Sequence, residues 1–166
     1  MLLNELRIPD KARKILTDSG ITELFPPQEE AIKAGALEGK NLVLASPTAS
    51  GKTLVAEFCA LKHVLEHDGK VLYLSPLRAL ASEKYAEFKK YTALEKAHGA
   101  RVRIGISTGD YDSSDPWLGK FDIIIATNEK GDSLLRHRAP WMDDLTLVIA
   151  DEIHLLNDAE RGPTLE

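Results

Sequence analysis

Residues 46–53 read Ser46-Pro47-Thr48-Ala49-Ser50-Gly51-Lys52-Thr53, and their reading decides the fold. They sit between an apolar run at 41–45 (NLVLA) and a helical pattern at 53–66. The spacing is that of the phosphate loop G-x-x-x-x-G-K-[ST], with Ser46 where the first glycine belongs. Such a loop turns backbone N–H groups toward a polyphosphate, at the start of a helix whose dipole favours anions. Close backbone approach matters most just before the lysine, and Gly51 is there. Lys52 would then reach the β- and γ-phosphates of a nucleotide, and Thr53 would offer its hydroxyl to Mg²⁺. Without the first glycine, a plain turn ending in Gly-Lys-Thr is the competing reading.

The chain on either side favours the nucleotide loop. Further short apolar runs lie at 70–74, 102–106, 122–126 and 145–150, each a strand candidate, and several are continuous enough to predict strands covered on both faces. Helical patterns at 53–66, 78–90 and 129–137 fall between them, so the expected architecture is α/β, a mostly parallel sheet with helices on both sides. Two helical stretches, 10–19 and 27–38, precede the first strand, with Gly20 and Gly39 as stops and Pro27 in a first turn. The expected division is a helical segment over 1–40 and the sheet domain over 41–166. The strands run into SPTASGKT, SPLRAL, STGDYD, ATNEKGDS and DEIH, all small and polar. Ligands of open parallel sheets bind at the carboxyl edge of the strands, so this edge is the expected working surface.

The last of these clusters supplies the other half of a nucleotide site. In LTLVIADEIH an apolar strand ends in Asp151-Glu152. Asp151 would hold Mg²⁺ and Glu152 would orient the attacking water, which is most of the apparatus that phosphoryl transfer requires.

Composition limits the alternatives. At 166 residues, 43% hydrophobic and 28% charged, the chain is one globular domain of ordinary size. No run approaches the roughly 18 apolar residues of a membrane span, and the charged N-terminus is no secretory signal. One cysteine, Cys59, excludes an internal disulfide, fits a cytoplasmic location and is expected to be a small core residue. A net charge of −5 neither announces nor excludes nucleic acid.

Other constellations carry less. His63 and His67 with Glu66 match H-x-x-E-H, but the apolar stripe Leu54, Phe58, Leu61 and Leu65 turns both histidines toward solvent, which argues against zinc. Asp143-Asp144 reads as a charged turn. Asp110 and Asp112 form an acid pair in a loop without geometry for acid–base work, and Trp117 and Trp141 are expected to cover core edges.

Taken together, the motifs resemble the superfamily-two DExH-box helicases, most closely the archaeal Hjm (Holliday-junction-migration) repair helicases, relatives of the helicase region of DNA polymerase theta. The resemblance runs over nearly the whole chain and implies a RecA-like P-loop NTPase domain. LFPPQEEAI is similar to the Q motif, in which Gln28 would read the adenine edge. SPTASGKTLVAE is similar to the first motif as this family spells it, so Ser46 is no defect. YLSPLRALASEKYAEF, STGDYD and TNEKGDSLLRH resemble the DNA-contacting motifs, implying contact through Pro76, Leu77, Arg78, Gly109, Asn128 and Glu129. DEIH resembles the second motif, where His154 would couple nucleotide state to the motor, and RGPTLE the segment after it. Gly131 is expected to be a variable position that weakens its helix. The resemblance further implies ATP and Mg²⁺ as cofactors, single-stranded or forked DNA as partner, 3′→5′ polarity, and a chain that is a piece of a helicase lacking its second RecA-like domain. An RNA helicase of the same superfamily and a non-catalytic nucleotide- or nucleic-acid-binding module are the rival readings.

Overall fold

The computed structural model describes residues 1–47, 51–109, 114–160 and 162–165. Four parallel strands, β1 (Lys70–Ser75), β2 (Ile104–Ser107), β3 (Ile123–Thr127) and β4 (Leu145–Ala150), form a sheet in the order β2-β3-β1-β4. The helices are α1 (Asp10–Asp18), α2 (Pro26–Ala34), α3 (Lys52–His67), α4 (Arg78–Phe88), α5 (Asn128–Arg136) and α6 (Gly162–Leu165).

Strand alternation sorts the core into two layers. Val71, Tyr73, Ile123 and Ile125 face one way, against Phe58 and Leu61 of α3, Ala81 and Phe88 of α4, and Leu16 of α1. Leu72, Ile124 and Ala126 face the other way, against Leu134 of α5, Leu118 and Trp141. All five residues of β3 are buried, as its unbroken apolar run requires. The N-terminal segment joins the first layer through Leu3, Leu6, Ile8 and Ala12. Lysines 96 and 130 tie loops to this frame. Lys96 bridges Asp68 and Asp122 (2.7 and 2.8 Å), and the buried Lys130 of α5 meets Asp115 at 2.6 Å.

Four of the five expected strands form; 41–45 does not. That stretch is extended but unpaired, with Leu42 and Val43 exposed at 44% and 76%. A strand exists by its ladder partner, and β4, the end strand of the sheet, pairs with β1 alone among the described residues. The outer strand β4 correspondingly alternates between half-buried and exposed residues, leaving Val148 53% exposed.

Smaller departures have local causes. Helix α2 ends at Ala34 because Gly35 adopts φ 107°, earlier than the stop expected at Gly39. Helix α4 gives way to a 3₁₀ turn at Lys89–Ala93. Helix α3 is buried along a broader face than the four-residue stripe, taking in Val55, Glu57, Ala60 and Val64, whereas Leu65 is only half-buried. His63 is therefore not turned wholly to solvent, and its Nδ1 lies 3.2 Å from Thr146 Oγ1 on β4. Buried Glu57 accepts from the Tyr91 hydroxyl and pairs with Lys90 at 2.9 Å. Gly131 is no spare position. It is buried, and a Cβ there would come within 2.6 Å of Leu74 on β1, so its absence lets α5 approach the sheet.

Candidate nucleotide site on the carboxyl edge

Because the strands are parallel, their carboxyl ends share one edge, and the strand order sets the neighbours along it. Gly109 comes after β2, Asn128 after β3, Pro76 to Arg78 after β1, and Asp151-Glu152 after β4. Helix α3 ends at His67, just before β1 begins at Lys70. Its first residues, Lys52 and Thr53, therefore lie one helix length, roughly 24 Å, away toward the same carboxyl edge.

The turn into α3 is built around Gly51 at φ 76°, in the left-handed region that favours glycine. The Gln28 side chain, 2% exposed, locks this turn to α2. Its Nε2 donates to Gly51 O at 2.9 Å, and its Oε1 accepts from Phe25 N at 2.8 Å. Expected to read an adenine edge, Gln28 stands here as the strut between the loop and the preceding helix. A Cβ on Gly51 would lie 2.0 Å from Gln28 Nε2. Gly51→Ala is thus expected to combine a left-handed backbone cost of about 1–2 kcal/mol with displacement of Gln28. Nucleotide titration should show affinity weakened about tenfold or more, the equivalent of that cost.

Lys52 Nζ donates to Ser46 O (2.7 Å) and Pro47 O (3.1 Å), so the ammonium spans the mouth of the loop. Thr48, Ala49 and Ser50 lie outside the described residues, as do Asp110 and Asp112. Thr53 Oγ1 accepts from Lys84 Nζ of α4 at 3.1 Å, and Lys84 also pairs with Glu87 at 3.1 Å. Nothing in the sequence marks Lys84. It sits mid-helix among charged residues, and only the packing of α4 beside the start of α3 brings it to the threonine.

Asp151 N continues the ladder by donating to Leu74 O at 2.9 Å. Its carboxylate accepts from Glu152 N at Oδ1 and from the Tyr73 hydroxyl at Oδ2, both at 3.0 Å. Burial, then the Asp151 carboxylate, raises the Tyr73 pKa far above the ordinary phenol value, so the hydroxyl remains a proton donor. Glu152, at φ 55°, is exposed and lies 3.2 Å from His154 Nδ1. Both oxygens of Asp151 thus receive neutral donors, and among the described residues no ion pair neutralises it. A carboxylate and a threonine hydroxyl are hard oxygen donors of the kind that suit Mg²⁺.

The expected nucleic-acid residues divide by exposure. Leu77, Arg78 and Gly109 are exposed, and Glu129 is half-buried. Pro76 and Asn128 are buried, Asn128 to 4%, with no hydrogen-bond partner for its Oδ1 among the described residues. Strand order nonetheless gathers the three segments side by side, at the ends of β2, β3 and β1 in turn. Away from this edge, Trp141 is buried while Trp117 is 50% exposed beneath Lys120. Cys59 lies against Ala36 O, and burial pushes its thiol up to about 11.

Known proteins resemble the chain along its whole length. Over all 166 residues the chain is 54% identical to the ATP-dependent DNA helicase Hel308 of Thermococcus kodakarensis and 51% identical to that of Pyrococcus abyssi. It is 54% identical to that of Methanocella arvoryzae over 167 aligned positions. The chain spans 14% of the first relative's length and 22% of each of the other two. Residues 25–166, from the cap of α2 through both halves of the candidate site, match the DEAD/DEAH box helicase model, and the chain belongs to that family.

Proposed function

We propose that the chain is the ATP-binding domain of an ATP-dependent 3′→5′ DNA helicase acting in repair or replication-fork processing. The observation that supports this reading is that Asp151 and Glu152 follow β4 at the carboxyl edge of the sheet, while α3, which opens with Lys52 and Thr53, ends just before the start of β1. Similarity to DNA helicases named Hel308 at about half identity supports the substrate class.

In this reading the start of α3 receives the polyphosphate, and the Lys52 ammonium exchanges the Ser46 and Pro47 carbonyls for phosphate oxygens. Thr53 and Asp151 would hold Mg²⁺, which supplies charge neutralisation between the β- and γ-phosphates. For Thr53 to do so, its bond to Lys84 must open, which frees a second ammonium near the phosphates. Glu152 orients water toward the γ-phosphorus, and His154, beside it, carries the change onward. Arginines from a second RecA-like domain would complete the transition state, a contribution of about 10³–10⁵ in rate in related enzymes. Leu77, Arg78, Gly109, Asn128 and Glu129 would touch the strand along its sugar-phosphate backbone, Pro76 shaping the turn between them. Binding should therefore be indifferent to sequence and weakened by salt.

The test is stimulation of ATP hydrolysis in the full-length protein. Single-stranded DNA is expected to accelerate turnover several-fold more than RNA of the same length, and the effect should fall with rising salt. Equal or greater stimulation by RNA would transfer the substrate to the RNA helicases. Absence of any turnover would leave a nucleotide-binding module.

A further inference from the structure

The Asp151 carboxylate has one hydrogen bond that is local and one that is not. The local one, from Glu152 N to Oδ1, comes with the turn after β4. The other, from Tyr73 Oη to Oδ2 at 3.0 Å, crosses from β1 and joins residues 78 positions apart. Sheet register explains how they meet. Tyr73 pairs with Ile149, and alternation returns the side chain two residues later, Asp151, to the same face.

Tyr73 is held firmly. It is 1% exposed, and its ring stands edge-on to Phe88 of α4 at 5.8 Å, with Phe88 in turn edge-on to Tyr91 at 6.0 Å. A tyrosine has few rotatable bonds, so a packed ring fixes the direction of its hydroxyl. We propose that Tyr73 is a positioning residue for Asp151, its buried hydroxyl setting the orientation in which the carboxylate meets the metal ion of a metal–nucleotide complex. This rests on the nucleotide reading above. A residue that only filled the core would need no hydroxyl, since the ring alone makes the contact with Phe88. The neighbouring tyrosine, Tyr91, shows the contrast. Its hydroxyl goes to Glu57, a buried carboxylate on α3 rather than one at a strand end. Partners that orient a metal ligand typically alter metal affinity or activity by about 10–100-fold when removed.

The test uses Tyr73→Phe in the full-length protein, which keeps the ring and deletes the hydroxyl. ADP affinity is measured by calorimetry with Mn²⁺ and again with EDTA, and Mn²⁺ binding to the protein–ADP complex is followed by electron paramagnetic resonance. The expected result is Mn²⁺ binding weakened by about tenfold or more, with metal-free ADP affinity unchanged. Tyr73→Phe that matches the wild type in both measurements overturns the proposal. Equal weakening with and without Mn²⁺ also overturns it, because a purely structural loss would act on both. A wild-type protein that binds no ADP would instead remove the nucleotide reading on which the role of Tyr73 stands, and one whose ADP affinity gains nothing from Mn²⁺ would remove the metal role of Asp151.

Discussion

Lys52→Ala is expected to lower DNA-stimulated ATP turnover of the full-length protein by at least about a hundredfold, the usual loss on removal of one preorganised charge stabiliser from an active site. Lys52 is half-buried at the start of α3 and, among the described residues, donates to the backbone carbonyls of Ser46 and Pro47. Its removal therefore leaves no buried charge behind and should hardly change the melting temperature. The loss should fall on the chemical step, because charge builds on the transferring phosphoryl group as the bond breaks. Steady-state hydrolysis with saturating single-stranded DNA measures it. A Lys52→Ala protein with normal DNA-stimulated turnover would refute the nucleotide site altogether.

Lys130→Met should cost about 3–5 kcal/mol of local stability, the range found when one partner of a buried ion pair is removed. The Lys130 side chain is 1% exposed and meets Asp115 at 2.6 Å, while Trp141 Nε1 donates to Asp115 O at 3.2 Å. Methionine keeps most of the stem's volume, so the loss is electrostatic rather than a cavity. Amide hydrogen exchange in α5 and β3 is the readout, since it reports opening free energies locally, and it should accelerate by roughly a hundredfold to several thousandfold. Adding Asp115→Asn should recover much of the loss, because it removes the facing charge. Asparagine also tolerates the left-handed backbone at this position, where φ is 41°. Exchange unchanged in the single variant would show that the pair contributes nothing.

The parts of this molecule legible in the sequence are those in which a residue's role depends on its immediate neighbours. Gly51, Lys52 and Thr53 are read from one octet because a phosphate loop is made by consecutive backbone groups at one helix start. Asp151-Glu152 are read from the end of an apolar run, because a strand carries the residues after it to the sheet edge. The strands β1 to β4 are legible because each is a short apolar run, unbroken in the wholly buried β3 and half exposed in the outer β4. The same logic fails at 41–45, whose residues suit a strand while the ladder that would make it one lies on no partner among the described residues.

Other features depend on contacts that chain order does not encode. Tyr73 looks like any aromatic in a strand until register sets it beside Asp151. Lys84 looks like a solvated helix lysine until α4 packs against the start of α3. Gln28 is legible as a motif residue, but its use as a strut to Gly51 comes from the docking of α2 on the loop. Gly131 reads as dispensable because helix propensity is a local quantity, whereas the approach of α5 to Leu74 is not. By itself, then, the sequence determined the α/β class, the candidate phosphate-loop motif and the acidic strand end, all products of short-range backbone geometry and hydrophobic period. Only the tertiary structure decided which side chains orient those groups, because a hydrogen bond of about 3 Å between distant residues exists only after strand register and helix packing have been set.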